Sequence, residues 1–227
     1  MVKIDLPVVA VNFKTYPQAT GERAVALAKM CEKVSRESGV SVVVAPQIPD
    51  IYRVSLAVDI PVFSQHLDPG DPGRYTGHVL GETLVEAGCS GTLINHSEKR
   101  MQLADIEDAI RKAETLGLYT IVCTNNPLVS VAAAALNPSA IAVEPPELIG
   151  TGISVTQAQP EVISGTVDQI RVVNKNVTIL CGAGISTGDD VVASIKLGAQ
   201  GVLLASAVAK SDTPGDVLRG LVEPLLK

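Results

Sequence analysis

The sequence predicts a closed (β/α)8 barrel, α/β in class, forming a single domain over residues 1–227. Three observations carry that expectation. Eight short apolar runs of strand length recur along the chain, stretches of helical period separate them, and polar side chains gather at the C-terminal end of nearly every run. The runs are Val8–Val11, Val42–Ala45, Val62–Ser64, Thr92–Ile94, Thr120–Cys123, Ile141–Val143, Thr178–Cys181 and Val202–Ala205. Each is enriched in β-branched residues and lacks strict polar alternation, the pattern of a strand buried on both faces. Between the first two, Ala24, Leu27, Ala28, Cys31 and Val34 form one apolar stripe, while Arg23, Lys29, Glu32, Lys33 and Arg36 face away. Ile106, Ala109, Ile110 and Ala113 repeat that stripe later, and a last helix is expected over Pro214–Leu226 with Val217, Leu218, Leu221 and Leu225 inward. Strands that alternate with helices imply right-handed parallel crossovers. Eight such units suit a closed barrel better than an open doubly wound sheet, which is the alternative architecture. No linker or low-complexity segment divides the chain.

Composition narrows the function classes. Apolar residues make up 46% and charged residues 19% of the chain, a globular balance. A formal charge of −6 excludes a nucleic-acid backbone as the main partner, since that binding needs basic patches. A small phosphorylated ligand needs only one or two local donors and stays open. The N-terminus lacks the basic and apolar regions of a signal peptide, and no apolar run approaches the roughly 18 residues of a membrane span. Cys31, Cys89, Cys123 and Cys181 are scattered with no C-x-x-C pair, as expected of reduced packing thiols in a cytoplasmic protein without a metal site. Cys123 ends a strand and is expected near the site.

The polar residues at the run ends are the candidates for chemistry. In a barrel those ends converge on one rim, where active sites are built. Asn12 and Lys14 leave the first strand with alternate side chains on one face. His96, in Asn95-His96-Ser97-Glu98, is expected at a helix N-terminus, whose field would keep its imidazole neutral. Glu144 ends the sixth run and is followed by two prolines, then by Gly150-Thr151-Gly152. Proline stiffens the start of that loop and glycine frees its end, so Pro145–Gly152 is expected to swing over the site as one piece. Gly182-Ala183-Gly184, after the seventh run, offers turn amides to a phosphate, and Ala205-Ser206 after the eighth could supply the other half.

Taken in order, Asn12-Phe13-Lys14, Gly73-Arg74-Tyr75-Thr76-Gly77, Asn95-His96-Ser97-Glu98 and Glu144-Pro145…Ile149-Gly150-Thr151-Gly152 resemble the triosephosphate isomerase family, and the resemblance runs from the first strand to the last. The short chain is similar to the archaeal branch of that family. The resemblance implies interconversion of dihydroxyacetone phosphate and glyceraldehyde 3-phosphate in glycolysis and gluconeogenesis, with no cofactor and no metal. It implies Glu144 as the base, His96 as the neutral electrophile, Lys14 as a positive charge toward substrate and Asn12 as its orienting partner. It further implies a phosphate held by backbone at Ile149, Gly150, Gly184, Ala205 and Ser206, and a Glu98 that pairs with Lys14. Thr76 would reach the active site of a neighbouring subunit, in a homotetramer more than in a dimer. The chain departs from the family pattern in three places: Pro145-Pro146-Glu147 at the start of the lid, Gly182-Ala183-Gly184 for Tyr-Gly-Gly-Ser, and Ala205-Ser206 for paired glycines. Two other readings compete, another phosphate-binding barrel such as a sugar-phosphate epimerase, and a catalytically dead barrel that serves as an oligomeric binding protein.

Overall fold

A computed structural model describes residues 2–145 and 160–226. It contains eight parallel strands: β1 (Val8–Asn12), β2 (Ser41–Ala45), β3 (Phe63–Ser64), β4 (Gly91–Ile94), β5 (Tyr119–Thr124), β6 (Ala140–Val143), β7 (Thr178–Cys181) and β8 (Gly201–Leu204). All eight expected runs are strands. The first reaches one residue further than the apolar run, to Asn12, and the last stops one residue short, at Leu204, which leaves Ala205 in the loop.

The strands pair in the order β2-β1-β8-β7-β6-β5-β4-β3, and the ring closes where Val44 bridges Val62 and the Val44 N–H donates to the Pro61 carbonyl at 3.1 Å. The expected barrel is the one observed. Its joints are unequal. β1 and β2 share a five-residue register, whereas β7 and β8 pair only through Cys181 and Val202, and β2 and β3 meet through that single bridge.

Burial on two faces explains the continuous apolar runs. Val8, Ala10, Val43, Ala45, Phe63, Leu93, Ile121, Cys123, Ala140, Ala142, Leu180 and Leu203 fill the barrel interior, while the residues between them pack outward under the helices. Phe63 is the largest interior side chain, and Gly91 on the neighbouring strand makes room for it. A Cβ at Gly91 would sit 2.5 Å from the Phe63 ring. Val2 and Ile4 plug the N-terminal mouth.

Helices α1 (Glu22–Ser38), α2 (Ile51–Ser55), α3 (Gly81–Glu86), α4 (Leu103–Thr115), α5 (Pro127–Ala135), α6 (Pro160–Val173), α7 (Gly188–Lys196), α8 (Ser206–Ala209) and α9 (Pro214–Val222) surround the barrel. The two expected stripes, on α1 and α4, are the buried faces of those helices, residue for residue. The last helix is shorter than its apolar period. Pro224 cannot continue the α-helical ladder, so α9 gives way at Glu223 to a 3-10 turn that carries Leu225. The lid expected over Pro145–Gly152 lies outside the described residues from Pro146 onward.

Candidate active site

β1 brings Asn12 and Lys14 to the rim with Phe13 fully buried between them. Lys14 has φ of 47°, in the left-handed region that costs a side-chain-bearing residue about 1–2 kcal/mol. Two side chains hold it there. The Asn12 Oδ1 accepts from the Lys14 N–H at 2.9 Å, and the Gln65 amide nitrogen donates to the Lys14 carbonyl at 2.8 Å and to the Ala45 carbonyl at 3.0 Å. The Lys14 side chain is only 12% exposed, and its ammonium pairs with Glu98 Oε1 at 2.8 Å.

The turn after β4 places His96. Asn95, at φ 59°, donates to the Cys123 carbonyl at 3.0 Å and accepts from the Met101 N–H at 2.9 Å, which fixes the turn on both sides. The Glu98 N–H donates to His96 Nδ1 at 3.2 Å, so the ring proton belongs on Nε2. Nε2 lies 3.7 Å from Glu144 Oε1. The His96 pKa is lowered to about 4, first by burial and then by the Lys14 charge, with Glu98 opposing. His96 does not begin a helix as the sequence suggested, since α4 starts only at Leu103. Burial and a neighbouring cation do the work assigned to a helix field.

Glu144 follows β6 and its backbone N–H donates to the Thr124 carbonyl at 2.7 Å. The residue is 4% exposed. Burial lifts its pKa to about 7, against the thiol hydrogen bond of Cys123 and the charge of Lys14, both of which lower it. Among the described residues its Oε2 has no hydrogen-bond partner. Room for the side chain exists because residue 182 is glycine: a Cβ there would lie 2.4 Å from Glu144 Cγ. Cys123 is fully buried beneath, its thiol pushed well above its ordinary value by burial and by the Glu144 charge.

One cavity of about 440 Å³ unites these groups. Its walls include Asn12, Lys14, His96 and Glu144 together with Gly182, Gly184, Ile185, Ser186 and Ala205–Ala207. Gly184 adopts φ 70°, which only glycine takes without strain. The next turn is governed by Asp190 on α7. Its Oδ2 accepts from the Ser186 N–H at 3.1 Å and from the Thr187 N–H at 2.9 Å, while the Thr187 hydroxyl caps the helix through the Asp190 N–H at 3.3 Å. Those two amides are therefore occupied, and Gly182 and Gly184 are the glycines of the turn at the cavity wall.

The family model for triosephosphate isomerase matches residues 7–221. The chain belongs to the triosephosphate isomerase family. Among the archaeal relatives named triosephosphate isomerase, that of Methanothermobacter thermautotrophicus is 57% identical over 218 residues, covering 96% of this chain and 95% of the relative. That of Methanosarcina barkeri is 54% identical over 219 residues (96% and 99%), and that of Methanocaldococcus jannaschii 55% over 215 residues (95% and 98%).

Of the residues expected from the sequence, Asn12, Lys14, His96, Glu144, Gly184, Ala205 and Ser206 all line this cavity. Glu98 pairs with Lys14 at its edge. Thr76 stands on the exposed stretch 71–78 and does not line the cavity. Ile149 and Gly150 lie outside the described residues. Missed were Asp190 and the supporting roles of Gln65 and Gly182. Asp190 was visible as the third helical residue after a threonine cap, Thr187-x-x-Asp190, a capping-box spacing. Nothing local marked the other two, because both act on residues distant in sequence.

Proposed function

We infer that this enzyme interconverts dihydroxyacetone phosphate and D-glyceraldehyde 3-phosphate with Glu144 as the base that moves a proton between C1 and C2. The observation that carries this reading is the pairing of a buried carboxylate, kept basic at about 7, with a neutral imidazole 3.7 Å away in the same cavity. A carboxylate of that basicity can take a carbon-bound proton and return it to the adjacent carbon. The His96 Nε2–H then donates to the carbonyl oxygen as charge develops on it, and Lys14 supplies the fixed positive charge that stabilises the enediolate. Asn12, which already orients the Lys14 backbone, holds the substrate oxygen beside both. Glu98 restrains Lys14 at 2.8 Å, so little reorganisation is needed when charge appears.

The phosphate sits at the other end of the cavity, against Gly184, Ala205 and Ser206, with Ile149 and Gly150 of the lid completing the grip. Thr76 reaches the cavity of a neighbouring subunit, and the working form is a homo-oligomer, a tetramer more than a dimer. The exposure of the whole stretch 71–78 supports this, Tyr75 being 48% exposed. Among the described residues no helix is long and apolar enough to cross a membrane, and all four cysteines are free and buried. We place the reaction in the cytoplasm, within glycolysis and gluconeogenesis.

The test is Glu144→Asp. A shorter arm withdraws the carboxylate by about 1 Å, so kcat falls by about 10²-fold or more while substrate still binds. Turnover near wild type in a coupled assay sinks the assignment.

A further inference from the structure

Among the described residues, two lysines, one histidine and one carboxylate line the cavity: Lys14, Lys210, His96 and Glu144. The chemistry accounts for Lys14, His96 and Glu144. Lys14 is committed to Glu98, His96 is neutral, and Glu144 is the base. Lys210 has no such task, and among the described residues no carboxylate lies within ion-pair distance of it. It directly follows α8, one helical turn beyond Ser206, whose carbonyl accepts from the Lys210 N–H at 3.1 Å. The residue is exposed, yet its ammonium has one aromatic contact. It rests over the ring of Tyr16, 5.6 Å from the centroid, and Tyr16 in turn packs half-buried against the core and lines the same cavity. A cation held on an aromatic face keeps its position at little cost in solvation.

Among the described residues Lys14 is the other lysine that lines this cavity, and it is paired with Glu98. Gly184 and Ala205 offer only backbone, and the Ser186 hydroxyl donates to Asp190 at 3.3 Å. The chain as a whole carries −6, which opposes the approach of a phosphate dianion. We propose that Lys210 is a second cation of the substrate site, drawing the phosphate dianion into the end walled by Gly184, Ala205 and Ser206 and holding it from the outer side. This rests on the reading of that end as the phosphate site. The Tyr16 ring acts as the rest from which the flexible lysine faces the incoming anion.

The experiment measures KM, kcat and the competitive inhibition constant of inorganic phosphate for wild type, Lys210→Met and Lys210→Arg, at low and high salt. In Lys210→Met, KM and the phosphate constant rise together by about 3- to 10-fold at low ionic strength, while kcat stays within about two-fold. The difference shrinks near 0.5 M salt, where the Debye length falls to about 4 Å, and Lys210→Arg stays close to wild type. Unchanged KM and phosphate constant at low salt overturn the proposal, as does a fall in kcat with an unchanged phosphate constant. Should the methionine variant not fold, Lys210→Gln supplies the same readout. If phosphate does not compete with substrate in the wild type, the phosphate end itself is misplaced and Lys210 falls with it. If phosphate competes but is indifferent to residue 210, only Lys210 is wrong.

Discussion

Glu144 is asked to be both buried and ionised, and the fold bears the strain. Its folded pKa of about 7 lies above the value of an exposed carboxylate, near 4.5. The sign follows directly. Below about pH 4 the group is protonated in both folded and unfolded chains and costs nothing; between about 4.5 and 7 the unfolded chain gives up the proton that the folded one keeps, so stability falls across that window and the full cost stands above about pH 7. A shift of this size corresponds to about 3 kcal/mol. Glu144→Gln should therefore stabilise the enzyme at pH 8 by about 1–3 kcal/mol and much less at pH 5, measured as denaturant midpoints at the two values. An equal gain at both, or none, would assign the strain elsewhere. The residue types of this site were legible because carboxylate, imidazole and ammonium stood where apolar runs ended. What set their states was not. The neutrality of His96 comes from burial and from Lys14, two contacts that no local pattern around residue 96 encodes.

At the level of elements, the periods of α1 and α4 carried the burial of each stripe residue, since a 3.6-residue repeat is a local property. Strand ends shifted by a residue because pairing with neighbours, not composition, decides where a ladder stops. The turn before α7 shows the same division. The glycines marked a turn, yet which amides remain at the cavity was decided by Asp190, which takes those of Ser186 and Thr187. Asp190→Ala removes the capping box and both of these bonds from a buried position. It should cost about 1–3 kcal/mol in urea unfolding and raise KM by a few-fold through a slackened wall, with kcat little changed. A variant as stable as wild type would mean that the turn holds itself.

Across the whole molecule, the exposed stretch 71–78 has anchors at its base but no cover on its outer side. The Asp68 N–H donates to the Val79 carbonyl at 3.0 Å, Asp68 Oδ2 accepts from the Val79 N–H at 2.6 Å, and Lys112 on α4 reaches Asp71 at 2.8 Å. A stretch so anchored and so uncovered suits a neighbouring subunit. Thr76→Arg should lower both the mass by light scattering and the turnover, the latter by about 10-fold or more, because a long cation fills the place of a small hydroxyl. A fully active monomer, or an unchanged assembly with full activity, would exclude the shared site.

The bridge between Val44 and Val62 gives the proposed assembly a mechanical side. A ring of staves is as strong as its loosest joint, and here a loose joint is the one beside β3, the shortest stave, whose following loop leads to the uncovered stretch. The proposed neighbouring subunit, seated on the stretch, would press the loose stave home, much as a hoop does on a cask. Dilution would then remove the hoop before anything else, and the first amides to exchange with solvent would be those along β2 and β3.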